Sequence, residues 1–134
     1  MKNFLLHFCA VAVIAFLIIA LPYCFSYHEK NDCSQVSTMY CTGPDKYIKC
    51  DTENEIKNME RRIRKLNFYP SDSEYLSESP EYSIAIVYKD GRKKQIDMTG
   101  SEAVVYFHSN DGEEPQGLPR FYYVNPLAVS LLFL

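Results

Sequence analysis

The feature that most constrains this chain is a long apolar run near its N-terminus. From Phe4 to Leu21 the sequence reads FLLHFCAVAVIAFLIIAL, and His7 is the one residue in it with a polar ring. A helix over this run would extend about 27 Å at about 1.5 Å per residue, close to the hydrocarbon thickness of about 30 Å. The sequence therefore predicts a membrane-directed helix that contacts the membrane through residues 4–21.

The fate of this segment stays open between an anchor and a signal peptide. Lys2 and the α-amino group precede the apolar run, which favours an N-terminus inside the cell and a C-terminal domain outside it. The run exceeds the usual h-region of about 7 to 15 residues and is followed by the aromatic stretch PYCFSY, which favours a single-pass signal anchor in the cell membrane. Cleavage after Ser26 would instead give a secreted protein. Leu21 to Cys24 also resembles a bacterial lipoprotein box, with Tyr23 where a small residue is usual.

Length and charge restrict what the rest of the chain can be. The 134 residues leave room for one small domain after the apolar run. A net charge of −3 disfavours a general nucleic-acid binder, and export disfavours it further. We predict a signal anchor or signal peptide over 1–26, a tether over 27–45 and a single domain over 46–134.

The best helix signal follows the short alternating segment YIKC. Thr52 and Glu55 have the spacing of a capping box, in which each side chain accepts the other residue's backbone N–H. Four apolar residues then recur on one helical stripe: Ile56, Met59, Ile63 and Leu66. Because Pro70 cannot continue a helix, we predict one amphipathic helix over about 53–66.

Alternating apolar residues after an acidic loop predict an antiparallel sheet. Tyr82, Ile84, Ile86 and Tyr88 alternate with smaller or more polar residues, and Asp90-Gly91 then predicts a type I′ hairpin leading into 93–99. AVVYFHS is apolar on both faces and predicts an interior strand, and FYYV predicts the last strand. The fold class is α+β, with one helix packed on an antiparallel sheet of four or five strands, preceded by the membrane-directed helix.

The apolar C-terminus NPLAVSLLFL has two readings. Asn125 can cap a helix and Pro126 suits its first position, so a terminal helix or strand docked on the core is the simpler prediction. The alternative is a glycolipid-anchor signal with its small-residue site at Ser109, Asn110 and Asp111.

The order of these elements resembles a known kind of domain. A short strand is followed by a helix that opens on DTENEI and ends at LNF, an acidic loop, the strand YSIAIVYKDG and strands that end in FYYV. Over residues 46–124 this is similar to small extracytoplasmic domains of unknown function from Gram-positive bacteria, which are often lipoproteins or signal-anchored proteins. The resemblance implies envelope localisation and an α+β domain, and it supplies no catalytic residues.

The cysteines predict at most one bridge and no metal site. Cys33, Cys41 and Cys50 lie in the exported part, and a disulfide between Cys33 and Cys41 would stabilise the fold by about 2 to 3 kcal/mol. Three free thiols are the alternative. The spacings contain no CxxC pair and no neighbouring His pair, so we predict no metal and no cofactor. The stretch NDGEE lacks the spaced acidic ligands of a calcium loop.

The sequence predicts no enzyme. Motifs of common hydrolases, kinases and dinucleotide enzymes are missing, and the remaining candidate is a dyad of Cys50 with His108. Six basic residues form the candidate patch for an anionic envelope polymer or a protein partner: Arg61, Arg64, Lys65, Arg92, Lys93 and Lys94. We therefore predict a non-catalytic interaction module at the cell envelope. The alternative function is a secreted effector or inhibitor released by signal cleavage.

Overall fold

A computed structural model describes residues 2–25, 31–109 and 115–134 of this chain, with the side chains of 19–25 and of residues 115 and 116 left aside. Within these ranges it is an α+β protein with three α-helices and one antiparallel sheet of seven strands. The α+β class is therefore confirmed, and the sheet is larger than the four or five strands predicted. The cleavage site at Ser26, residues 27–30 of the predicted tether and the stretch 110–114 lie outside the described residues.

Helix α1 (Lys2–Phe25) forms over the apolar run. The helical prediction is therefore confirmed. Among the described residues, however, no helix combines the length and the apolar character needed to cross a membrane. The described side chains run only from Lys2 to Ile18, and from Phe4 they cover about 21 Å at about 1.5 Å per residue. The structure thus supports a helix here but not the predicted membrane span.

The sheet is built mainly from neighbouring hairpins. Its strands are β1 (Val36–Thr42), β2 (Tyr47–Cys50), β3 (Tyr69–Pro70), β4 (Tyr82–Tyr88), β5 (Lys93–Thr99), β6 (Glu102–His108) and β7 (Pro115–Tyr123). Their order across the sheet is β2-β1-β4-β5-β6-β7-β3. Strand β6 lies between β5 and β7, which confirms the interior position predicted from its two apolar faces.

Strand β1 corrects the predicted tether and domain boundary. Residues 36–42 pair with both β2 and β4, so the folded domain begins well before residue 46. The register shifts between Val36 and Thr38, as a β-bulge does, and the buried residues Val36 and Met39 are therefore three positions apart. This irregular spacing hides the alternation of two that identifies a strand in a sequence.

The turn between β4 and β5 also differs from its prediction. Gly91 has φ of 91°, whereas Asp90 is not among the residues of positive φ, so a type I′ turn is excluded. The Tyr88 carbonyl accepts from Gly91 N–H at 2.9 Å, and Tyr88 N–H donates to the Arg92 carbonyl at 2.9 Å. This is a three-residue loop with glycine in the left-handed position, which gives the same strand pairing with one more loop residue.

Two helices cover one face of the sheet. Helix α2 (Glu53–Ile63) begins after the predicted cap Thr52, whose Oγ1 accepts from Glu55 N–H at 3.3 Å. The Glu55 carboxylate accepts from the Thr52 hydroxyl at 2.7 Å and not, as a full capping box has it, from the Thr52 backbone N–H. Helix α3 (Pro126–Leu132) begins at Asn125, whose side chain accepts from Leu127 N–H. All four residues of the predicted apolar stripe are buried in one core with the inward side chains of the sheet and with those of α3. The helix is shorter than the predicted 53–66, since it ends at Ile63 and Leu66 lies after it.

Candidate functional site

A buried polar cluster lies where the described domain begins. We call it the Asn31 cluster, and it consists of Asn31, Glu60, Arg64, Tyr88 and Lys94. Glu60 Oε1 accepts from the backbone N–H of Asn31 at 3.0 Å, and Glu60 Oε2 accepts from Asn31 Nδ2 at 2.8 Å. The Asn31 Oδ1 atom in turn accepts from Lys94 Nζ at 3.2 Å and from Tyr88 OH at 3.1 Å. The amide of Asn31 therefore joins a carboxylate on α2 to an ammonium group on β5.

The Asn31 cluster is deeply buried at its centre and reaches solvent at one side. Asn31, Glu60 and Lys94 are each 5% exposed or less. Arg64 Nε lies 2.9 Å from Glu60 Oε1, with the arginine side chain about half exposed. Buried charges are tolerated when they are paired and hydrogen-bonded, and the cluster meets that condition for Glu60. The Asn31 cluster therefore has a structural role, because both carboxylate oxygens of Glu60 accept hydrogen bonds from donors of the same chain.

The six residues of the predicted basic patch do not share one surface. Arg61 and Lys65 are exposed on or just after α2. Arg64 and Lys94 instead join the Asn31 cluster, and Lys94 is buried on the core face of β5. The reason is register: Lys94 pairs with Ile86 and Phe107, so it points toward the helices, while Lys93 points to the other face.

Arg92 is held within the hairpin that carries it. Its Nε lies 2.7 Å from Asp90 Oδ2, and its backbone N–H donates to Asp90 Oδ1 at 3.0 Å. The guanidinium also lies 6.0 Å from the centroid of the Tyr88 ring. Both partners, Asp90 and Tyr88, lie in the same hairpin as Arg92. The arginine therefore stabilises the turn, and the Asp90 carboxylate offsets its charge.

The cysteines are free thiols in the described residues, which corrects the predicted disulfide between Cys33 and Cys41. Cys33 lies before β1 and Cys41 near its end. The extended chain from Val36 to Cys41 alone covers about 16 Å at about 3.3 Å per residue, whereas bridged Cα atoms lie within about 7 Å. Cys41 and Cys50 are also unbridged, on neighbouring strands at diagonal rather than facing positions.

Burial makes these thiols poor nucleophiles. It raises the pKa of the Cys41 thiol to about 12, with a smaller effect from Cys50. Burial also raises the pKa of Cys33, with a further contribution from the Glu60 carboxylate, and burial raises the pKa of Cys50. Because the thiolate is the reactive form, all three are inert relative to an exposed cysteine.

Alkylation should therefore follow exposure. We expect N-ethylmaleimide at pH 8 to label Cys33 slowly in the folded chain, and Cys41 and Cys50 only after unfolding in denaturant. Peptide mapping by mass spectrometry measures each site separately from the exposed Cys9, and Cys33→Ser is the control that should remove the native-state label among these three cysteines. A non-reduced chain in which two of these cysteines resist labelling after unfolding would contradict the free thiols.

The candidate dyad of Cys50 with His108 is not assembled. Cys50 lies on β2 and His108 on β6, and three strands separate them in the sheet. Four interstrand spacings of about 4.8 Å give about 19 Å between the two strands. His108 instead packs edge-on against Tyr106 at 5.2 Å between ring centroids, and its Nδ1 atom has no hydrogen-bond partner among the described residues.

A second polar cluster lies on the sheet face opposite the helices. Asp97 Oδ1 accepts from Ser83 Oγ at 2.7 Å and from Gln95 Nε2 at 2.9 Å. Asp97 Oδ2 accepts from Tyr106 OH at 2.7 Å, and burial together with this bond raises the pKa of the Tyr106 phenol. With both oxygens occupied, Asp97 fixes side chains across three strands and is not placed as a general base.

A cavity of about 630 Å³ opens beside the start of α2. Its walls include Cys33, Asp51, Glu53, Lys57 and Lys89. The two signs of charge are interleaved, and Lys57 Nζ already lies 2.8 Å from Glu53 Oε1. No group of three or more metal-ligating side chains is found in the described part of the chain. The cavity thus presents neither a single sign of charge nor an activated thiol.

Comparison of the chain with protein-family models, with curated protein sequences and with solved structures finds no match.

Proposed function

We propose that this chain is a non-catalytic interaction module, attached to a membrane by α1 and placed outside the cell at the envelope. The observation that carries the proposal is the surface of α1. Every described side chain from Lys2 to Ile18 is exposed, and most of them are large and apolar. A helix that is apolar all round is stable where an apolar phase surrounds it.

The folded domain supports the non-catalytic part of this proposal. Its buried carboxylates at Glu60 and Asp97 are engaged by donors within the chain, and its buried thiols have raised pKa values. Catalytic groups need a free position toward a substrate and a pKa near the working pH. Glu60, Asp97 and the buried thiols are therefore used to build the fold.

Attachment is tested by arginine substitution in α1. The double variant Val13→Arg and Phe16→Arg should leave the membrane fraction, since arginine at a helix centre costs about 2.5 to 3.5 kcal/mol of insertion free energy. The matched control is Tyr75→Arg with Leu118→Arg, two strongly exposed positions of the domain, and it should stay bound. Fractionation with immunoblotting measures the distribution, and equal distributions would reject attachment by α1.

Intact mass and protease accessibility complete the test. A membrane-bound chain that retains Met1 and whose domain is digested from outside the cell agrees with the proposal. A mature chain that begins after Ser26 and lies in the medium would instead establish the secreted effector or inhibitor.

A further inference from the structure

Helix α3 and the turn after it expose leucines that the core does not use. Leu127, Leu131 and Leu134 are 66%, 56% and 81% exposed. Leu127 and Leu131 lie one turn apart on α3, and Leu134 follows the helix in a turn where its backbone N–H donates to the Leu131 carbonyl at 3.2 Å. We call them the leucine stripe. A row of exposed leucines costs solvation free energy unless another apolar surface covers it.

The opposite side of α3 is firmly docked, so the leucine stripe is not a loosely packed core element. Val129, Leu132 and Phe133 are buried, and the Phe133 ring lies 4.8 Å from the Tyr82 ring between centroids. Lys46 Nζ also donates to the Leu134 carbonyl at 3.2 Å. The helix therefore cannot turn its leucines inward without losing these contacts.

Basic side chains border the leucine stripe. Between α2 and α3 lies a groove of about 420 Å³ with Arg62, Lys65, Leu131 and Leu134 among its walls. Of the described residues that line this groove, none is acidic. Lys46 adds a third cation beside Leu134. Exposed leucines rimmed by lysine and arginine are the composition of a helix that lies on an anionic lipid surface, with its apolar side chains between the headgroups.

We propose that the leucine stripe with Arg62, Lys65 and Lys46 docks on an anionic lipid surface. The proposal rests on the membrane attachment by α1 that is proposed above. A tether of this kind raises the effective concentration of the domain at the bilayer, so that a contact of three leucines and three cations suffices. A second copy of this chain fits less well, because a two-fold contact through the same patch would bring the basic rims together.

A single tryptophan reports on this contact, because the chain has no tryptophan of its own. The full-length Leu131→Trp variant is reconstituted with vesicles of phosphatidylcholine and phosphatidylglycerol. We expect its emission to shift to shorter wavelength and to be quenched by brominated acyl chains. The matched variant Leu118→Trp, at a leucine that is 92% exposed on β7, should emit as in water and resist quenching.

Charge and salt separate lipid binding from the alternatives. Lys65→Glu in the Leu131→Trp background should reduce the emission shift. Added salt at about 0.5 M, or vesicles of phosphatidylcholine alone, should reduce it as well. The control Lys49→Glu, on the other face of the sheet, should leave the shift unchanged. A shift that appears without vesicles and grows with protein concentration would identify a second copy and overturn the proposal. Cosedimentation of the same samples measures whether the chain is attached to the vesicles by α1. If the chain is vesicle-bound but the emission of Leu131→Trp is neither shifted nor quenched, lipid docking alone is overturned. If the chain is unbound, both proposals are overturned.

Discussion

Glu60→Ala is expected to lower the free energy of unfolding by about 2 to 4 kcal/mol, because it leaves buried donors without an acceptor. Glu60 accepts both the backbone N–H and the side-chain amide of Asn31, in a place where the three central residues of the Asn31 cluster are almost fully buried. Arg64 contributes less to this loss, since its half-exposed side chain can return to water. Urea denaturation of the full chain in mild detergent, followed by circular dichroism, measures the change.

The matched control is Glu53→Ala on the same helix. Glu53 Oε1 forms an ion pair of 2.8 Å with Lys57, but the glutamate side chain is 80% exposed. We expect a loss below about 1 kcal/mol. Glu60→Gln should fall between the two, since one amide oxygen still accepts from Asn31. If Glu60→Ala is no more destabilising than Glu53→Ala, the Asn31 cluster does not hold the start of the domain in place.

The parts of the fold that the sequence predicted correctly depend on local chemistry. The start of α2 is set by Thr52 and Glu55, which lie three residues apart: Thr52 Oγ1 accepts from Glu55 N–H, and the Thr52 hydroxyl donates to Glu55 Oε1. The ladder of β4 with β5 follows from strict alternation on both sides of a short turn. Such signals survive in a single sequence because the interacting residues are near one another in the chain.

The parts that were missed depend on distant partners. Asn31 is 29 residues from Glu60 and 63 from Lys94, and no periodicity connects them. One signal was available: Glu60 lies four residues after Ile56 and one after Met59, so it borders the predicted apolar stripe. A carboxylate in that position is expected to be buried or half-buried, although its partner could not be named.

The predicted basic patch was also wrong for residues beside the β4–β5 turn, because their surroundings depend on distant parts of the chain. KDGRKK reads as one cluster of charge, yet the pleat sends Lys93 and Lys94 to opposite faces. The alternation of side chains along a strand predicts this separation from the sequence alone. The burial of Lys94, however, depends on its contact with Asn31, and the sequence analysis assigned Asn31 to a tether outside the domain. The candidate lipid surface was equally hidden, because it combines α2 with a helix about 65 residues later.

Phe68→Ala is expected to be the most destabilising single substitution considered, with a loss of about 3 to 5 kcal/mol in the free energy of unfolding. Phe68 is fully buried, and its ring meets Tyr122 edge to face at 5.7 Å between centroids. It follows α2 in an irregular segment, so no helical or strand period marked it as core. Removal of its ring leaves a cavity between the end of α2 and strand β7 that rigid neighbours cannot fill.

The same substitution at Phe107 separates burial from residue type. Phe107 is 44% exposed, with Lys94 Nζ 5.7 Å from its ring centroid, so Phe107→Ala should cost about 1 kcal/mol. Both variants are measured by urea denaturation beside the wild-type chain. Since a domain of this size is stable by about 5 to 15 kcal/mol, Phe68→Ala removes a large share of that stability and should lower the midpoint markedly. Equal losses at the two positions would mean that Phe68 is not enclosed by the core, and the packing of the segment after α2 would have to be revised.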